Sequence, residues 1–248
     1  MTPAITHIFF DLHGTLVDGV ALHPCYSAAY GDLMAARYGK SAEVWTQANW
    51  RIVADWDSYY ADLDLGGENG MADMWEGYFR VTRAMFRLAG VPEPSRNEIA
   101  ALSREVPTIV PRHCDALYSD VRPAIATLHA AGYILGVTSH ALTGQARATL
   151  QGGGILDTFA GSIIGPDVAE QFVKDEAFFR CAIRAAGAAA SHCLVVDDHA
   201  DAIRGAHDAG TRTAQVIRSG SKHQQTQTAD LVLTGGLQDL PDLLRKLT

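Results

Sequence analysis

The sequence predicts an α/β protein in which a doubly wound parallel sheet forms the core and an all-helical domain is inserted near the start of the chain. Two patterns support this prediction. From residue 120 onward, short apolar runs alternate with segments of helical periodicity, and strands joined by helices form parallel sheets with both faces covered. Between residues 23 and 106, apolar and aromatic positions instead recur three and four residues apart, as in packed helices.

The predicted strands are short apolar runs bounded by glycine, proline or polar residues. They cover residues 4–10, 133–138, 159–164, 193–196, 213–217 and 231–233. Helices are predicted between strands at residues 124–131, 143–150, 176–186 and 202–209. Right-handed crossover connections are therefore expected.

The helical insert contains breaks rich in glycine and proline, such as residues 90–95. Ser95 with Glu98 three residues later is a capping box, which predicts the start of the last helix of the insert.

The change from helical to alternating pattern sets the predicted domain boundaries. Residues 1–18 and 120–248 are predicted to form the core domain, and residues 19–119 the helical domain. A chain of 248 residues is long enough to bury both cores.

Composition excludes several classes of function. The chain has 28 acidic and 20 basic residues, a net charge of -8, and its basic residues do not cluster, which argues against a nucleic-acid partner. No apolar run is long enough to span a bilayer, and no Lys or Arg precedes Arg37. A membrane partner and a signal peptide are therefore not expected. The expected location is cytoplasmic.

The four cysteines show neither C-x-x-C spacing nor a local pairing with histidine at zinc-site distances. They are Cys25, Cys114, Cys181 and Cys193. In a cytoplasmic protein this pattern predicts buried, reduced thiols and no disulfide.

Three polar residues, Asp11, Ser139 and Asp198, each fall just after a predicted strand. Ligands of parallel sheets bind beyond the carboxyl ends of the strands, so folding is expected to bring these residues to one crevice. Asp197 and Asp198 offer hard oxygen ligands for Mg²⁺ beside Asp11. Lys174, one of four lysines, supplies a positive charge that offsets the repulsion between a carboxylate and a phosphate.

A phosphate group also needs hydrogen-bond donors. Ser139 supplies a hydroxyl, and Gly14 with Thr15 follows Asp11 in a turn whose backbone N–H groups can cradle an anion. The residues thus predict phosphoryl transfer to an aspartate.

Four segments of the chain, in this order, resemble the motifs of the haloacid dehalogenase (HAD) superfamily. They are residues 10–18, 135–140, 173–175 and 194–210. Their order and spacing together are specific, whereas each motif alone is weak. The resemblance implies a Rossmann-like core, a C1-type cap made by the helical insert, and a hydrolase that uses Mg²⁺ and acts on a small phosphorylated metabolite. A homodimer is compatible with it.

The resemblance also implies a role for each matching residue. The expected catalytic residues are the nucleophile Asp11, the acid and base His13, Ser139 and Lys174. The expected substrate-binding residues are Gly14, Thr15, Ser139, His140 and Lys174. The expected metal ligands are Asp11, the backbone carbonyl of His13, Asp197 and Asp198. The cap is expected to be a mobile lid hinged near residues 18–19 and 119–122.

His13 stands where most phosphatases of the family carry Asp. Imidazole can protonate a leaving alkoxide and activate water, since its ordinary pKa of ~6.5 lies nearer to neutral pH than that of a carboxyl. The alternatives are an enzyme that cleaves a carbon–phosphorus or carbon–halogen bond and a phosphate-binding relative with impaired turnover. The pair Asp197 and Asp198 favours the phosphatase, because the family's dehalogenases lack these paired acids and need no Mg²⁺.

Three imidazoles, those of His13, His140 and His199, are expected at the mouth of the crevice. His140 stands where the family commonly has Asn. These rings either orient the carboxylates and the substrate or draw Mn²⁺, Co²⁺ or Zn²⁺ into the metal site.

The insert also contains an aromatic run over residues 45–60. Aromatic side chains at helical spacing are usually core residues. The other interpretation is that Trp50, Arg51 or Tyr59 faces the crevice and selects the leaving group.

Overall fold

The computed structural model describes residues 5–159 and 161–247. Its strands are β1 His7–Phe10, β2 Ile134–Thr138, β3 Ile163–Ile164, β4 Cys193–Asp197, β5 Arg212–Val216 and β6 Leu231–Leu233. Within this part of the chain they form a six-stranded sheet in the order β3-β2-β1-β4-β5-β6. Every neighbouring pair is parallel, as predicted.

β1 lies in the middle of the sheet, between β2 and β4. Phe10 is level with Val137 on one side and with Val196 on the other, so the three strands end at the same edge. Successive side chains of a strand face opposite sides of the sheet. Ile8 and Phe10 accordingly pack into one apolar cluster and Phe9 into another.

Helices cover both faces of the sheet and also build the insert. In chain order they are α1 Gly19–Tyr38, α2 Ala42–Ala54, α3 Gly70–Ala89, α4 Arg96–Ile109, α5 Val121–Ala130, α6 Thr143–Gly152, α7 Pro166–Ala169, α8 Glu176–Ala185, α9 Ala200–Asp208 and α10 Leu240–Leu247. α5 contributes Ile125 and Leu128 to the cluster around Phe10, and α8 contributes Phe178 and Phe179 to the cluster on the other face. The predicted Rossmann-like, doubly wound core is confirmed.

The helices α1 to α4 form the predicted all-helical cap, which has an apolar core of its own. Trp45 is fully buried there, and its ring meets that of Phe86 edge to face, with centroids 5.4 Å apart. At the start of α4 the hydroxyl oxygen of Ser95 accepts a hydrogen bond from the backbone N–H of Glu98. The exact boundaries at residues 18–19 and 119–120 stay a prediction.

Two chain segments connect the cap to the core, and they run side by side. The backbone N–H of Asp18 donates to the carbonyl of Ala116 over 2.9 Å, and that of Tyr118 donates to the carbonyl of Leu16 over 3.1 Å. The Asp18 side chain also accepts a hydrogen bond from Val20 N–H and caps α1. The two connections between cap and core are therefore joined by a short two-stranded contact.

The prediction of reduced thiols is wrong for two of the four cysteines. Cys25 on α1 and Cys114 on the returning connection form a disulfide, with Cα atoms 5.7 Å apart. The two residues are 89 positions apart, and such a pairing depends on packing that local spacing does not report. Cys181 and Cys193 are free thiols.

One predicted strand is much shorter than expected. Among the described residues of this stretch, 159 and 161–164, β structure is confined to Ile163 and Ile164, because a 3₁₀ turn ends at Thr158 and the chain joins the sheet only afterwards. Ala4 and Ala160, which belong to two predicted strands, lie outside the described residues. None of the helices in the described ranges combines the length and the hydropathy needed to cross a bilayer.

Candidate active site

The ends of the central strands bring the predicted acidic and hydroxyl residues to one edge of the sheet. Asp11 follows β1, and its backbone N–H donates to the carbonyl of Val196 on β4 over 2.8 Å. Ser139 follows β2, and its N–H donates to the carbonyl of Ile164 over 3.0 Å. Asp197 is the last residue of β4. The side chains of these residues are all buried.

Lys174 enters this edge from the segment between α7 and α8. Its Nζ donates to Asp11 Oδ1 over 2.8 Å, to the Thr138 carbonyl over 3.0 Å, and to Asp197. Burial alone would lower the pKa of Lys174, but the charges of Asp11 and Asp197 raise it above its ordinary value. The lysine is therefore a buried, permanently charged group whose three N–H donors are all used.

Three carboxylates lie together at this edge, and Lys174 contacts two of them. Asp11, Asp197 and Asp198 each offer an oxygen within 4.8 Å of the others. Burial raises the pKa of all three, against the opposing effect of Lys174, and the pKa of Asp198 reaches about 6 because Asp197 adds its negative charge. Three carboxylates against one ammonium leave an excess of negative charge, and hard oxygen donors at this spacing fit a divalent cation such as Mg²⁺.

Gly14 is required by the position of Asp198. Its φ of +89° is unfavourable for residues with a side chain. A Cβ at this position would also lie 2.2 Å from Asp198 Oδ2. The turn after Asp11 can therefore approach the second acid of the pair only because it carries glycine.

The predicted hydroxyl residues are both buried, with different surroundings. Ser139 Oγ accepts a hydrogen bond from Ala141 N–H over 3.0 Å, so its own proton remains to be donated. Thr15 is fully buried, and its Oγ1 has no hydrogen-bond partner among the described residues.

Arg218 ties the turn after Asp11 to the connection that leads back from the cap. Its guanidinium donates to the Thr15 carbonyl over 2.5 Å and to Asp120 Oδ1 over 2.6 Å. It also lies over the ring of Tyr118, 3.9 Å from the centroid. Sequence reasoning missed this residue, because it lies outside the motifs and its partners are far away in the chain.

His13 lines a cavity between cap and core. Burial, together with the charges of His23 and Lys174, lowers the pKa of His13 to about 4. The ring is therefore neutral at neutral pH.

The other predicted imidazoles have different neighbours. Part of the His140 ring is exposed, while its inner side stacks on Phe172 with centroids 5.0 Å apart. The His199 ring packs against that of His223, and His223 Nε2 lies 3.5 Å from Asp198 Oδ2. His223 was not predicted, since it belongs to a polar segment without a recognisable pattern.

The cavity has a volume of about 470 Å³ and is formed by both domains. Tyr78 of α3 donates from its hydroxyl to Gln145 Oε1 of α6 over 3.2 Å, a hydrogen bond that joins cap and core. Trp56 lines the cavity, whereas Trp50, Arg51 and Tyr59 do not. Of the aromatic run over residues 45–60, Trp56 therefore lines the cavity, and the three residues considered as selectors of the leaving group do not.

Comparisons with known proteins agree with this geometry. The family model described as haloacid dehalogenase-like hydrolase matches residues 5–210. The chain is similar to 2-haloacid dehalogenase from Pseudomonas syringae pv. Tomato DC3000, with 24% identity, a TM-score of 0.64, and coverage of 98% of this chain and 100% of that one. It is also similar to L-2-haloacid dehalogenase from Xanthobacter autotrophicus, with 19% identity, a TM-score of 0.60, and coverage of 98% and 100%.

A HAD phosphatase from Thermococcus onnurineus is similar to the same extent, with 21% identity, a TM-score of 0.59, and coverage of 97% of this chain and 98% of that chain. At such identities the likeness shows a common fold and leaves the reaction undecided. No curated protein sequence matches the chain.

Proposed function

The chain belongs to the haloacid dehalogenase-like hydrolases, and on this premise we propose that it is a Mg²⁺-dependent phosphatase of a small phosphorylated metabolite. The observation that carries the proposal is the group of three carboxylates around one buried lysine. Asp11, Asp197 and Asp198 lie within 4.8 Å of one another, and Lys174 contacts the first two. Cleavage of a carbon–halogen bond by Asp11 requires no divalent cation, so it would not need two further carboxylates beside the nucleophile.

Charge explains why a phosphate needs this arrangement. A carboxylate and a phosphate oxygen about 4 Å apart repel each other by about 4 kcal/mol at an effective dielectric constant near 20. Lys174 offsets part of this repulsion. Asp11, Asp197 and Asp198, with the backbone carbonyl of His13, would hold Mg²⁺, which when bound neutralises phosphate charge during the transfer.

In the proposed first step a carboxylate oxygen of Asp11 attacks phosphorus, and the bond from phosphorus to the ester oxygen breaks. The departing oxygen takes a proton from His13. The pKa of His13 is about 4 in the free protein, and the negative charge of a bound phosphate raises it towards neutrality. The products of this step are the free alcohol and a phosphorylated Asp11.

In the second step a water molecule attacks the phosphorus of the aspartyl phosphate. His13, now neutral, accepts a proton from this water, and the bond between phosphorus and Asp11 breaks. Inorganic phosphate leaves, and both residues return to their starting state.

Several residues are proposed to hold the phosphate during both steps. Ser139 donates its free hydroxyl proton, the turn at Gly14 and Thr15 offers backbone N–H groups, and His140 lies next to Ser139. Lys174 contributes its charge and positions Asp11. Direct contact of Lys174 with the phosphate requires it to release one of its three acceptors.

Phosphate release from a panel of phosphate monoesters, with Mg²⁺ and after chelation, tests this function. We expect turnover that needs the metal, that Asp11→Asn abolishes, and that the exposed control Asp157→Asn retains. Halide release from 2-chloropropionate without any phosphate release would instead establish the carbon–halogen alternative. Tight binding of phosphate without release of any product would identify a binding protein with impaired turnover.

A further inference from the structure

The cavity between cap and core has a mostly apolar wall. We propose that this cavity binds the leaving group and selects an uncharged alcohol with an aromatic or branched aliphatic body. The inference rests on the proposed phosphatase function and names its substrate class.

The position of the cavity fits a leaving group. His13 is part of its wall, and in the proposed reaction His13 gives its proton to the ester oxygen, so the leaving group is expected on this side of Asp11. The volume of about 470 Å³ lies in the range of small-molecule sites. The cavity therefore takes the part of the substrate that the phosphate site does not hold.

Most of the cavity surface is apolar. Residues of α1, α2, α3 and α4 supply aliphatic side chains and aromatic rings; among them are Leu22, Tyr26, Tyr30, Val53, Val81 and Val106. Such a wall favours an apolar leaving group, because the removal of its surface from water lowers the free energy of binding.

No Asp, Glu, Lys or Arg lines the cavity among the described residues. The His13 ring lies in this wall, but in the proposed reaction it serves the ester oxygen. Burial raises the pKa of Tyr26 well above its ordinary value and that of Tyr78 to about 12, so both phenols are neutral. The remaining basic ring, that of His23, belongs to an exposed residue. A second phosphate or a carboxylate would therefore be buried here without a partner charge, which is costly.

Several polar side chains of the wall already bond to the protein. Asn49 Nδ2 donates to Ser27 Oγ over 2.9 Å, and the hydroxyls of Thr82 and Ser103 donate to backbone carbonyls over 2.9 Å. The two hydroxyl protons and one of the two N–H groups of the Asn49 amide are thereby used. A sugar with several hydroxyl groups would lose water and find few free partners, so the cavity also disfavours polyhydroxylated alcohols.

Matched phosphate esters test the inference. With Mg²⁺, benzyl phosphate is expected to have a kcat/KM at least about 100-fold higher than 4-carboxybenzyl phosphate, glucose 6-phosphate or glycerol 3-phosphate. Equal or faster turnover of the carboxylated or sugar esters would overturn the substrate class while leaving the phosphatase function intact.

A pair of variants on α2 tests whether the selection between uncharged and charged leaving groups takes place in this cavity. Val53 lines the cavity, whereas its neighbour Ala54 is exposed and does not. Val53→Lys is expected to narrow the ratio between the benzyl and carboxybenzyl esters by about 10-fold or more, because it places a cation on the wall. Ala54→Lys should leave the ratio unchanged. The same ratio in both variants would contradict binding of the leaving group in this cavity.

A binding measurement keeps the inference testable if no ester is turned over. Benzylphosphonate should bind to the Mg²⁺-loaded protein at least about 10-fold more tightly than methylphosphonate or 4-carboxybenzylphosphonate, as measured by calorimetry. The benzyl group should also change the fluorescence of Trp56, which lines the cavity and is 42% exposed, and Trp56→Phe should remove that change. Equal affinity for the three phosphonates would overturn the inference on its own.

Discussion

Lys174 donates a hydrogen bond from its Nζ to Asp11 Oδ1 over 2.8 Å, across 163 positions of sequence. The same ammonium contacts Asp197, and the side chains of all three residues are nearly inaccessible. A buried carboxylate pair without a cation would be strongly unfavourable. Lys174 thus links the carboxyl ends of β1 and β4 through its two ion pairs. This is in addition to its proposed role of offsetting the charge of the phosphate.

Replacement of Lys174 by methionine should destabilise the metal-free protein by about 3–5 kcal/mol at neutral pH, because two buried carboxylates lose their shared cation. Addition of Mg²⁺ should recover part of this loss, since it supplies positive charge to the same oxygens. The measurement is the free energy of unfolding in urea, with and without Mg²⁺. Lys222→Met at an exposed position is the control. Equal stability of the two variants would contradict the role of Lys174.

Gly14→Ala should remove activity, and Gly39→Ala should not. Both glycines have positive φ, +89° and +73°, so either alanine should cost about 1–3 kcal/mol of stability through backbone strain. A Cβ at position 14 would overlap the Asp198 carboxylate, whereas nothing lies within 4 Å of a Cβ at position 39. Thermal unfolding and Mg²⁺ binding of both variants separate strain from damage to the acidic pair.

His13→Ala should slow phosphate release by about 10²–10⁴-fold from esters of poorly leaving alkyl alcohols, because their oxygen needs a proton. Release from p-nitrophenyl phosphate, whose alcohol leaves readily, should slow much less if the first step limits the rate. His13→Asp should shift the pH profile of kcat, which reports the substrate complex, towards acid. An equal loss for both kinds of ester, with an unchanged profile, would remove the acid and base role.

The Cys25–Cys114 disulfide should stabilise the protein by about 2–4 kcal/mol, because it closes a long loop in the unfolded chain. Cys114→Ser should lower the midpoint of urea unfolding under non-reducing conditions, and a reducing agent should bring the parent protein to the same midpoint. Cys181→Ser, at a free thiol, serves as the matched control. Peptide mass mapping that finds Cys25 and Cys114 unlinked would contradict the pairing.

Protonation of His140 should destabilise the fold. Burial of its inner side and the charge of Lys174 lower its pKa to about 4, whereas the unfolded chain keeps a value of about 6.5. Between about pH 4 and pH 6.5 the unfolded state binds more protons than the folded state. The contribution of the neutral His140 ring to the free energy of unfolding is therefore fully present above about pH 6.5, and it decreases as the pH drops towards 4. His140→Gln should make the free energy of unfolding less dependent on pH in this window. An unchanged dependence would contradict the lowered pKa.

The sequence alone determined the sheet and the positions of its chemistry. Apolar runs such as Ile8 to Phe10 are strands because both faces of a parallel sheet are buried. A polar residue that follows such a run must lie at the carboxyl edge. Asp11, Ser139 and Asp198 could therefore be placed at one edge from local pattern and order.

Only the tertiary structure decided which groups meet across loops and between domains. The disulfide between Cys25 and Cys114, the contact of His223 with Asp198 and the bonds of Arg218 all join residues far apart in sequence. The neutral cavity likewise arises from how the cap packs on the core. Hydrophobic periodicity records which face of an element is buried, whereas these relationships depend on where each element is placed by long-range packing.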